Sequence, residues 1–568
     1  MNRFDRTFWK RVWSLVRLYW LSKDRRRGVK LLMFLAALGA VGLALGAYGT
    51  YLNRDVTDAL LGKHLHGFYR VMLLALGVTI TGVFTKVFEE YTGGLLYIEW
   101  REWLTHYFVG RGFANRAFYR MSLLGKVDNP DQRIADDIGT FIEWTEKLTI
   151  TLVFAIAGVV TYFAILWSIS SSLALFLIGY AIAGTYFSVV IGRRLIGLNY
   201  FQERYQADFR FGLVHVRDNI EPIFIYGGER YETDQLRNRF AAVVRNFKDL
   251  ILWKRNLGLL TDSYGGFAIL IPFLFLAASY MRGQLTFGHV AQAAAAFGSL
   301  HTALSIIVTN FVDITNYANV VVRLGEYLEE AHAADKFDAD GDHKMIEIAD
   351  GPGVELDHMT VMTPDGGKTL ISDLSLDASA LEPLLVQGPS GTGKTSLMRA
   401  LAGIWREGSG TVVRPPLADV MFLPQRPYMV LGSLRDQLIY PKASGKSDQQ
   451  LYEMLRTVNL SNLPERFGGL DAEMHWADVL SPGEQQRLAF ARLLLNGPRF
   501  AFLDEATSAL DVANEQLMYR LMNRQAIPFL SSGHRPTLLK FHRNVLQLSP
   551  DREWYIEASG EFEAQTAA

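Results

Sequence analysis

Long apolar stretches separated by charged segments characterise the first 330 or so residues of the chain. A helix needs about 20 mostly apolar residues to cross a lipid bilayer. Five such stretches lie near residues 31–52, 70–92, 148–168, 171–192 and 259–281, and a sixth, 288–314, is more polar and rich in alanine. That sixth composition suits a helix that lines an aqueous path. The pattern therefore predicts an all-α transmembrane domain of six helices, over residues 1–335.

The segments between some of these spans are long, charged and still patterned like helices, which predicts helices that continue out of the membrane at 93–147 and 193–258. Asp128-Asn129-Pro130 is a typical helix start, and the glycine pair in 221–229 favours a turn between two helices. A basic stretch before the first span places the N-terminus in the cytoplasm. Six spans then place the C-terminus there as well.

The basic N-terminal stretch also carries an aromatic stripe. Trp9, Trp13, Val16 and Trp20 fall on one side of a helix, with most charges elsewhere. Such a helix either lies in the lipid headgroup region or packs on the protein's own membrane domain, and the sequence does not choose between the two.

Charged residues follow the apolar part of the second span, at Lys86, Glu89, Glu90, Glu99 and Arg101. Lys86 and Glu90 are four residues apart and can pair on one helix face. The four residues Lys86, Glu89, Glu90 and Glu99 are candidates for a polar cavity wall. The simpler interpretation is a helix that leaves the bilayer and carries ordinary solvated charges.

Residues 336–568 have the composition of a soluble α/β domain, so the 568-residue chain divides into two unlike domains. The segment 330–345, rich in alanine, aspartate and lysine, is expected to link them. The net charge of −1 gives no reason to expect nucleic acid as a partner. Because the chain has no cysteine, disulfides, thiolate metal sites and cysteine nucleophiles are excluded.

A phosphate-binding loop opens this second domain. The candidate ATP-binding residues are Gly388, Pro389, Ser390, Gly391, Thr392, Gly393, Lys394, Thr395 and Ser396. Apolar residues 384–386 before the loop predict a strand, and Leu397, Leu401 and Ile404 after it predict a helix face. Glycines let backbone N–H groups surround phosphates at a helix N-terminus. Lys394 is then expected to contact the β- and γ-phosphates and Thr395 to bind Mg²⁺.

Two acids end a second apolar strand, at Asp504 and Glu505. Asp504 suits the Mg²⁺ shell, and Glu505 is placed to orient or deprotonate the attacking water. His534 follows a third strand at Phe529-Leu530 and is a candidate to bond the γ-phosphate. A second anion site is expected at Ser481, Gly483 and Glu484, just before the apolar helical run from Leu488 to Leu495. Two γ-phosphate sites in one domain make sense if they meet across a dimer.

These motifs resemble the ABC ATPase cassette, an α/β phosphate-loop fold that uses ATP and Mg²⁺. The resemblance implies that Gln425 is the Q-loop residue, with catalytic and metal-binding roles, and that Ser481 to Glu484 are a signature variant. It also implies that 508–511 are the D-loop and His534 the switch histidine. In this family each signature completes the ATP site of the opposite subunit, which implies a homodimer. One departure is Thr363, which stands where many members have an aromatic residue that stacks on adenine.

The membrane half resembles the bacterial SbmA/BacA-like transporters with a fused cassette, on residues 100–105, 128–134 and 226–229. More distantly it is similar to the peroxisomal fatty-acyl half-transporters. The resemblance implies a type IV, exporter-like fold in the bacterial plasma membrane. It further implies ATP-driven inward movement of peptides or other large hydrophilic solutes such as cobalamin. Fatty-acyl transport and an ATPase that regulates a partner are the two alternatives.

Overall fold

The computed structural model describes residues 5–124, 130–304, 311–337, 345–363, 367–378, 383–442, 445–560 and 562. The chain forms two compact units, Met1–Asp335 and Lys336–Ala568. The first unit is helical in its described part, and the second combines helices with β-sheets. We call them the membrane unit and the ATPase unit.

The membrane unit consists of long helices joined by short connections. They are α1 (Arg6–Trp20), α2 (Arg26–Leu61), α3 (Leu65–Phe113), α4 (Ala117–Leu124), α5 (Pro130–Ile169), α6 (Ser171–Asp218), α7 (Ile220–Ile225), α8 (Glu229–Met281), α9 (Phe287–Leu304) and α10 (Phe311–Phe337). Helix α5 contains a π-helical turn at Arg133–Asp137.

Among the described residues, five helices are long and apolar enough to cross a membrane, and each contains one of the five predicted apolar stretches. These are Lys23–Leu61, Leu65–Phe113, Pro130–Ile169, Ser171–Asp218 and Glu229–Met281. The second to fifth continue through charged sequence, which confirms that the described parts of 93–147 and 193–258 extend as helices beyond the apolar stretches. Helix α9 covers the start of the predicted sixth span, while residues 305–310 lie outside the described residues.

Helix α1 uses two neighbouring faces in different ways. Phe8, Leu15 and Tyr19 are buried in a core cluster of the membrane unit, and the Tyr19 ring stacks on Trp100 with 5.8 Å between centroids. Trp9 and Trp13, from the stripe that the sequence indicated, remain 60% and 62% exposed. The helix therefore packs on its own unit and still presents two tryptophans outward.

Two connections agree with the sequence and one does not. Helix α5 begins at Pro130, and the turn in 221–229 consists of the short helix α7 followed by Gly227, whose φ of 64° is in the left-handed region that favours glycine. The expected linker at 330–345 was wrong over residues 330–337. These residues extend α10, because Leu328 and Ala331 are buried and alanine-rich sequence favours helix. Residues 338–344 lie outside the described residues.

In its described residues, the ATPase unit contains two main sheets and a short two-stranded sheet. Its strands are β1 (Glu347–Asp350), β2 (Glu355–Met362), β3 (Thr369–Asp377), β4 (Leu384–Gln387), β5 (Gly408–Arg414), β6 (Val420–Leu423), β7 (Gly432–Ser433), β8 (Glu473–Met474), β9 (Phe500–Asp504), β10 (Phe529–Ser532), β11 (Asn544–Leu548) and β12 (Trp554–Ala558). Its helices are α11 (Lys394–Leu401), α12 (Leu434–Ile439), α13 (Asp448–Thr457), α14 (Leu463–Phe467), α15 (Trp476–Val479), α16 (Pro482–Asn496) and α17 (Val512–Arg524).

The larger sheet has the order β12-β11-β4-β10-β9-β6 and is parallel except for the β11–β12 pair. Strands β4 and β10 are buried along their whole length, and each begins with apolar residues, at 384–386 and at Phe529-Leu530. Because β4, β10 and β9 are neighbours, their carboxyl ends meet at one edge. Helix α11 follows β4 and ends at Leu401, so Ile404 lies beyond the predicted helix face, at 37% exposure.

Candidate nucleotide site

The predicted phosphate loop connects the end of β4 to the start of α11. Three glycines of this loop, Gly388, Gly391 and Gly393, have φ values of 148°, 86° and 98°. A Cβ atom at Gly388 would lie 2.4 Å from the Leu548 carbonyl oxygen, so no side chain fits there. The result is a cradle of backbone at a helix N-terminus, which is the geometry that binds phosphate groups.

Lys394 is the charged residue of this cradle. Its side chain is only 7% exposed, and its Nζ donates hydrogen bonds to the carbonyl oxygens of Gly388 at 2.7 Å and Pro389 at 2.9 Å. Burial lowers the pKa of Lys394, while the carboxylates of Glu505 and Asp504 act in the opposite direction. The ammonium group therefore lies at the cradle, where phosphate charge would stabilise it.

Oxygen ligands suitable for Mg²⁺ meet where β4 and β9 end. The Thr395 hydroxyl lies 3.5 Å from the Asp504 carboxylate, the arrangement expected of two groups that share one cation. Ser532, at the end of β10, donates a 2.7 Å hydrogen bond to the same Asp504 oxygen and accepts one from the Glu505 backbone N–H at 3.1 Å. These residues fit a magnesium ion, and Ser532 fixes the two acids relative to each other.

Glu505 is held from two sides by residues that the sequence had singled out. Gln425 donates a 2.8 Å hydrogen bond from its Nε2 to one carboxylate oxygen of Glu505, and His534 Nε2 lies 3.4 Å from the other. The Glu505 backbone has φ of 47°, which is unfavourable for a residue with a side chain. A strained backbone at a carboxylate held in this way is typical of functional sites.

The second predicted anion site forms the start of α16. The Ser481 hydroxyl accepts a 3.3 Å hydrogen bond from the Glu484 N–H, and the Glu484 carboxylate accepts one from the Ser481 N–H at 2.8 Å. This reciprocal pair is a capping box, and it fixes the helix N-terminus. The other Glu484 oxygen accepts a 2.8 Å bond from Arg466. The candidate residues Ser481, Gly483 and Glu484 are thus brought together.

The proposed departure at Thr363 is visible as a turn. Its hydroxyl accepts a hydrogen bond from the Lys368 N–H at 3.0 Å, so the side chain takes part in closing the connection between β2 and β3. Residues 364–366 of this connection lie outside the described residues. Thr363 therefore carries a bonded hydroxyl at the position where the resemblance to the cassette family implied an adenine-stacking aromatic residue.

Contacts among the described residues do not join the four cavity candidates of the membrane unit into one cluster. Lys86 and Glu90 approach to 4.0 Å with side chains 77% and 72% exposed, as the sequence spacing indicated. Glu99 pairs instead with Arg27 at 2.7 Å, and Glu89 is half-buried.

Comparison with known proteins assigns both units. The family model "ABC transporter transmembrane region 2" matches residues 15–281, and the model "ABC transporter" matches residues 371–508. An uncharacterised ABC transporter ATP-binding protein of Synechocystis is 43% identical over 89% of this chain and 78% of its own length. The chain belongs to the ABC transporters. It is a half-transporter, with one transmembrane region and one ATPase cassette that hydrolyses ATP with Mg²⁺.

Two further relatives connect the chain to the D family of ABC transporters. The chloroplastic ABC transporter D family member 2 of Arabidopsis thaliana is 35% identical over 97% of this chain and 88% of its own length. The lysosomal cobalamin transporter ABCD4 of Mus musculus is 33% identical over 87% of each chain. A bacterial Atm1-family ABC exporter with ATP bound has a TM-score of 0.71 at 18% identity, covering 96% of this chain and 99% of its own, which shows the exporter fold.

Proposed function

We propose that this half-transporter works as a homodimer in a bacterial plasma membrane and uses ATP to import a large hydrophilic solute. The observation that carries the proposal is its similarity, over most of both chains, to a protein described as a lysosomal cobalamin transporter. The resemblance of the membrane half to SbmA/BacA-like transporters supports the same class of cargo and adds peptides to it. Cobalamin and peptides are therefore the first solutes to test.

In the proposed reaction the phosphate loop binds ATP and Lys394 contacts the β- and γ-phosphates. Thr395, Asp504 and Gln425 would hold Mg²⁺, and the ion would supply positive charge to the phosphate oxygens. Glu505 orients and deprotonates the attacking water. Gln425 and His534 hold the carboxylate of Glu505 at distances of 2.8 and 3.4 Å, so both can respond when the nucleotide arrives.

Each ATP site is completed by the second copy of the chain. Ser481 and the Gly483 N–H lie at the N-terminus of α16, where backbone N–H groups and the helix dipole favour an anion. In the proposed dimer this end of α16 faces the γ-phosphate held by the partner. Two equivalent sites form, because both copies carry the same motifs.

Dimer closure is proposed to reach the membrane through the helix ends that extend beyond the apolar spans. In this proposal the helical turn near residues 226–229 transmits closure. Helix α7, just before that turn, is a short apolar segment whose Phe224 and Ile225 are 60% and 73% exposed. Its counterpart is the region 113–127, of which residues 125–127 lie outside the described residues. The proposed result is alternating access, in which the spans open to one side of the membrane and then to the other.

Purified protein in liposomes tests the proposal. Labelled cobalamin and a peptide panel should accumulate only with ATP and Mg²⁺, and Glu505→Gln should lower ATP hydrolysis by about 100-fold or more while ATP still binds. Glu453→Gln, an exposed glutamate on α13, is the matched control and should behave as wild type.

The same experiment separates the alternatives. Accumulation in the Glu505→Gln protein equal to wild type would contradict ATP-driven transport. ATPase stimulation by acyl-CoA without response to cobalamin or peptides would favour the fatty-acyl alternative. Hydrolysis with no transported solute would favour a regulatory ATPase, although the five apolar helices favour a transporter.

A further inference from the structure

The D-loop, residues 508–511, lies between the two candidate anion sites of the same chain. It follows Glu505 directly, and the Ser508 N–H donates a 3.0 Å hydrogen bond to the Glu505 carbonyl. On the other side it approaches the signature, because a Cβ atom at Gly483 would lie 3.1 Å from the Ala509 carbonyl oxygen. A shift of this loop would therefore affect the backbone of Glu505 and the start of α16 together.

Gln486 joins three parts of the site through one buried amide. It is 2% exposed, and its Nε2 donates to the Gln425 carbonyl and to the Ser508 hydroxyl, both at 3.1 Å. Its Oε1 accepts a 2.9 Å hydrogen bond from the Ala509 N–H. The two donated bonds and the accepted one use both N–H groups of the amide and its oxygen. Gln486 thus connects α16 to the Q-loop backbone and to the D-loop.

The preceding residue provides a contrast on the same helix. Gln485 is partly exposed, whereas Gln486 is buried. The Gln485 Nε2 donates hydrogen bonds of 2.9 Å to the carbonyls of Ala477 and Leu480. Those carbonyls belong to α15 and the residue after it, away from the Q-loop and the D-loop. Two adjacent glutamines therefore have the same chemistry and different connections.

Arg535 holds the D-loop from the opposite side. It follows His534, and its two terminal nitrogens donate to the carbonyls of Leu510 at 2.7 Å and Ser508 at 2.8 Å. Its charge is met by Glu515, a fully buried carboxylate 3.3 Å away that also accepts a bond from Thr507. The planar guanidinium suits two carbonyls at once, which a lysine cannot reproduce.

We propose that Gln486 and Arg535 are positioning residues that join Glu505 to the signature of the same chain through the D-loop. This rests on the proposed homodimer, in which the signature of one chain completes the site of the other. Since Gln486 acts on the Q-loop of its own site and on the signature presented to the partner, the two ATP sites then depend on each other. Neither residue needs to touch nucleotide for this role.

The kinetic test compares Gln486→Met with Gln485→Met in the full-length protein. Gln486→Met removes all three bonds at nearly constant volume, and we expect kcat per bound ATP to fall roughly 10- to 100-fold, because Gln425 and Glu505 lose their alignment. KM should stay within about twofold, since the phosphate loop is untouched. Gln485→Met should leave both constants within about twofold of wild type.

Two further variants test the same proposal if the Gln486→Met protein does not fold. Gln486→Glu keeps the acceptor for the Ala509 N–H and loses both donors, and Arg535→Lys keeps the charge near Glu515 and loses the fork. Each should lower kcat more than it raises KM. Wild-type kcat in these variants, with or without a lower melting temperature, would reduce both residues to structural roles and overturn the proposal.

Mixed dimers test the dependence between sites. A wild-type chain and a Gln486→Met chain with different tags are co-expressed and purified through both tags. Independent sites would give the mean of the two homodimers, about half the wild-type rate, whereas linked sites should give less than about a fifth. A rate at the mean would overturn the proposal. Failure to recover both tags together would instead contradict the homodimer. The kinetics of the Gln486→Met and Gln485→Met proteins would still decide the role of Gln486.

Discussion

His542 is a buried histidine of the ATPase unit that is only 5% exposed. Its Nε2 lies 2.5 Å from the Ser531 hydroxyl and its Nδ1 lies 2.7 Å from the Leu538 carbonyl. Burial lowers the pKa of His542 to about 4, and the bond to Leu538 opposes that effect. The native protein therefore keeps this ring neutral at a pH where an exposed histidine is already protonated.

This residue should make stability fall in mild acid. Between pH 6.5 and 4 the unfolded chain binds a proton at His542 that the native chain does not. The contribution of His542 to the free energy of unfolding therefore has its full value above pH 6.5 and decreases as the pH falls. Going from pH 7.5 to 5.0 should cost about 2 kcal/mol from this group. His542→Gln should make the melting temperature of the ATPase unit less sensitive to pH over this range.

The control is His475→Gln, which changes an exposed histidine of the same unit. This variant should keep the wild-type pH dependence. An unchanged pH dependence in His542→Gln would mean that carboxylates account for the acid sensitivity.

Residue roles were predictable from sequence where a motif fixes them, and not where they depend on the fold. The phosphate loop, Asp504, Glu505 and Gln425 each stand in a recognisable pattern, and the structure places them together. Ser532 was missed as a partner of both acids, although it lies two residues before His534. Gln486 and Arg535 also flank predicted residues, but their bonds reach across 22 or more positions of sequence, which no local pattern reports.

At the scale of elements, the start of α5 carries two buried charged residues, Arg133 and Asp137, that contact α10. Asp137, in the π-helical turn, is 2% exposed and pairs with Arg323 of α10 at 2.5 Å. Arg133, one turn earlier and 4% exposed, donates a 2.6 Å bond to the Arg323 carbonyl. Arg133 and Asp137 thus attach the start of α5 to α10.

Removal of this ion pair should loosen the attachment. Asp137→Ala leaves Arg323 without its carboxylate, and we expect a loss of about 2 kcal/mol in the free energy of unfolding. The melting temperature of the full-length protein in detergent should fall by a few degrees. Asp136→Ala changes the exposed neighbour and should leave it nearly unchanged. Equal melting temperatures of the two variants would show that the pair adds nothing to stability.

Elements were predictable from sequence to the extent that one local pattern decided them. Five apolar stretches gave five helices, because a bilayer span needs continuous apolar sequence whatever surrounds it. The end of α10 was misjudged, because residues 330–337 have no strong apolar period and are helical through packing of their neighbours at Leu328 and Ala331. The sequence likewise could not predict which face of α1 is buried, because burial of Phe8 and Tyr19 depends on distant residues such as Trp100.

At the scale of the whole molecule, the proposed working unit is two chains, because the phosphate loop and the signature of one chain serve different sites. This predicts a pattern of complementation between defective chains. Lys394→Ala damages the phosphate loop, and Ser481→Arg blocks the signature with a bulky charge. Each variant alone should form an inactive homodimer, since every site then contains one damaged part.

Mixed dimers of the two variants should recover activity. When one chain carries Lys394→Ala and the other Ser481→Arg, both defects fall in the same site, and the other site is intact. When one chain carries both substitutions and its partner is wild type, each site receives one defect and hydrolysis should stay at the level of the inactive homodimers. Phosphate release from doubly tagged dimers measures the difference. The reverse order, with hydrolysis only when one chain carries both substitutions, would mean that each chain completes its own site, because the wild-type partner would then hold one undamaged site. Equal rates in the two arrangements would contradict the predicted recovery.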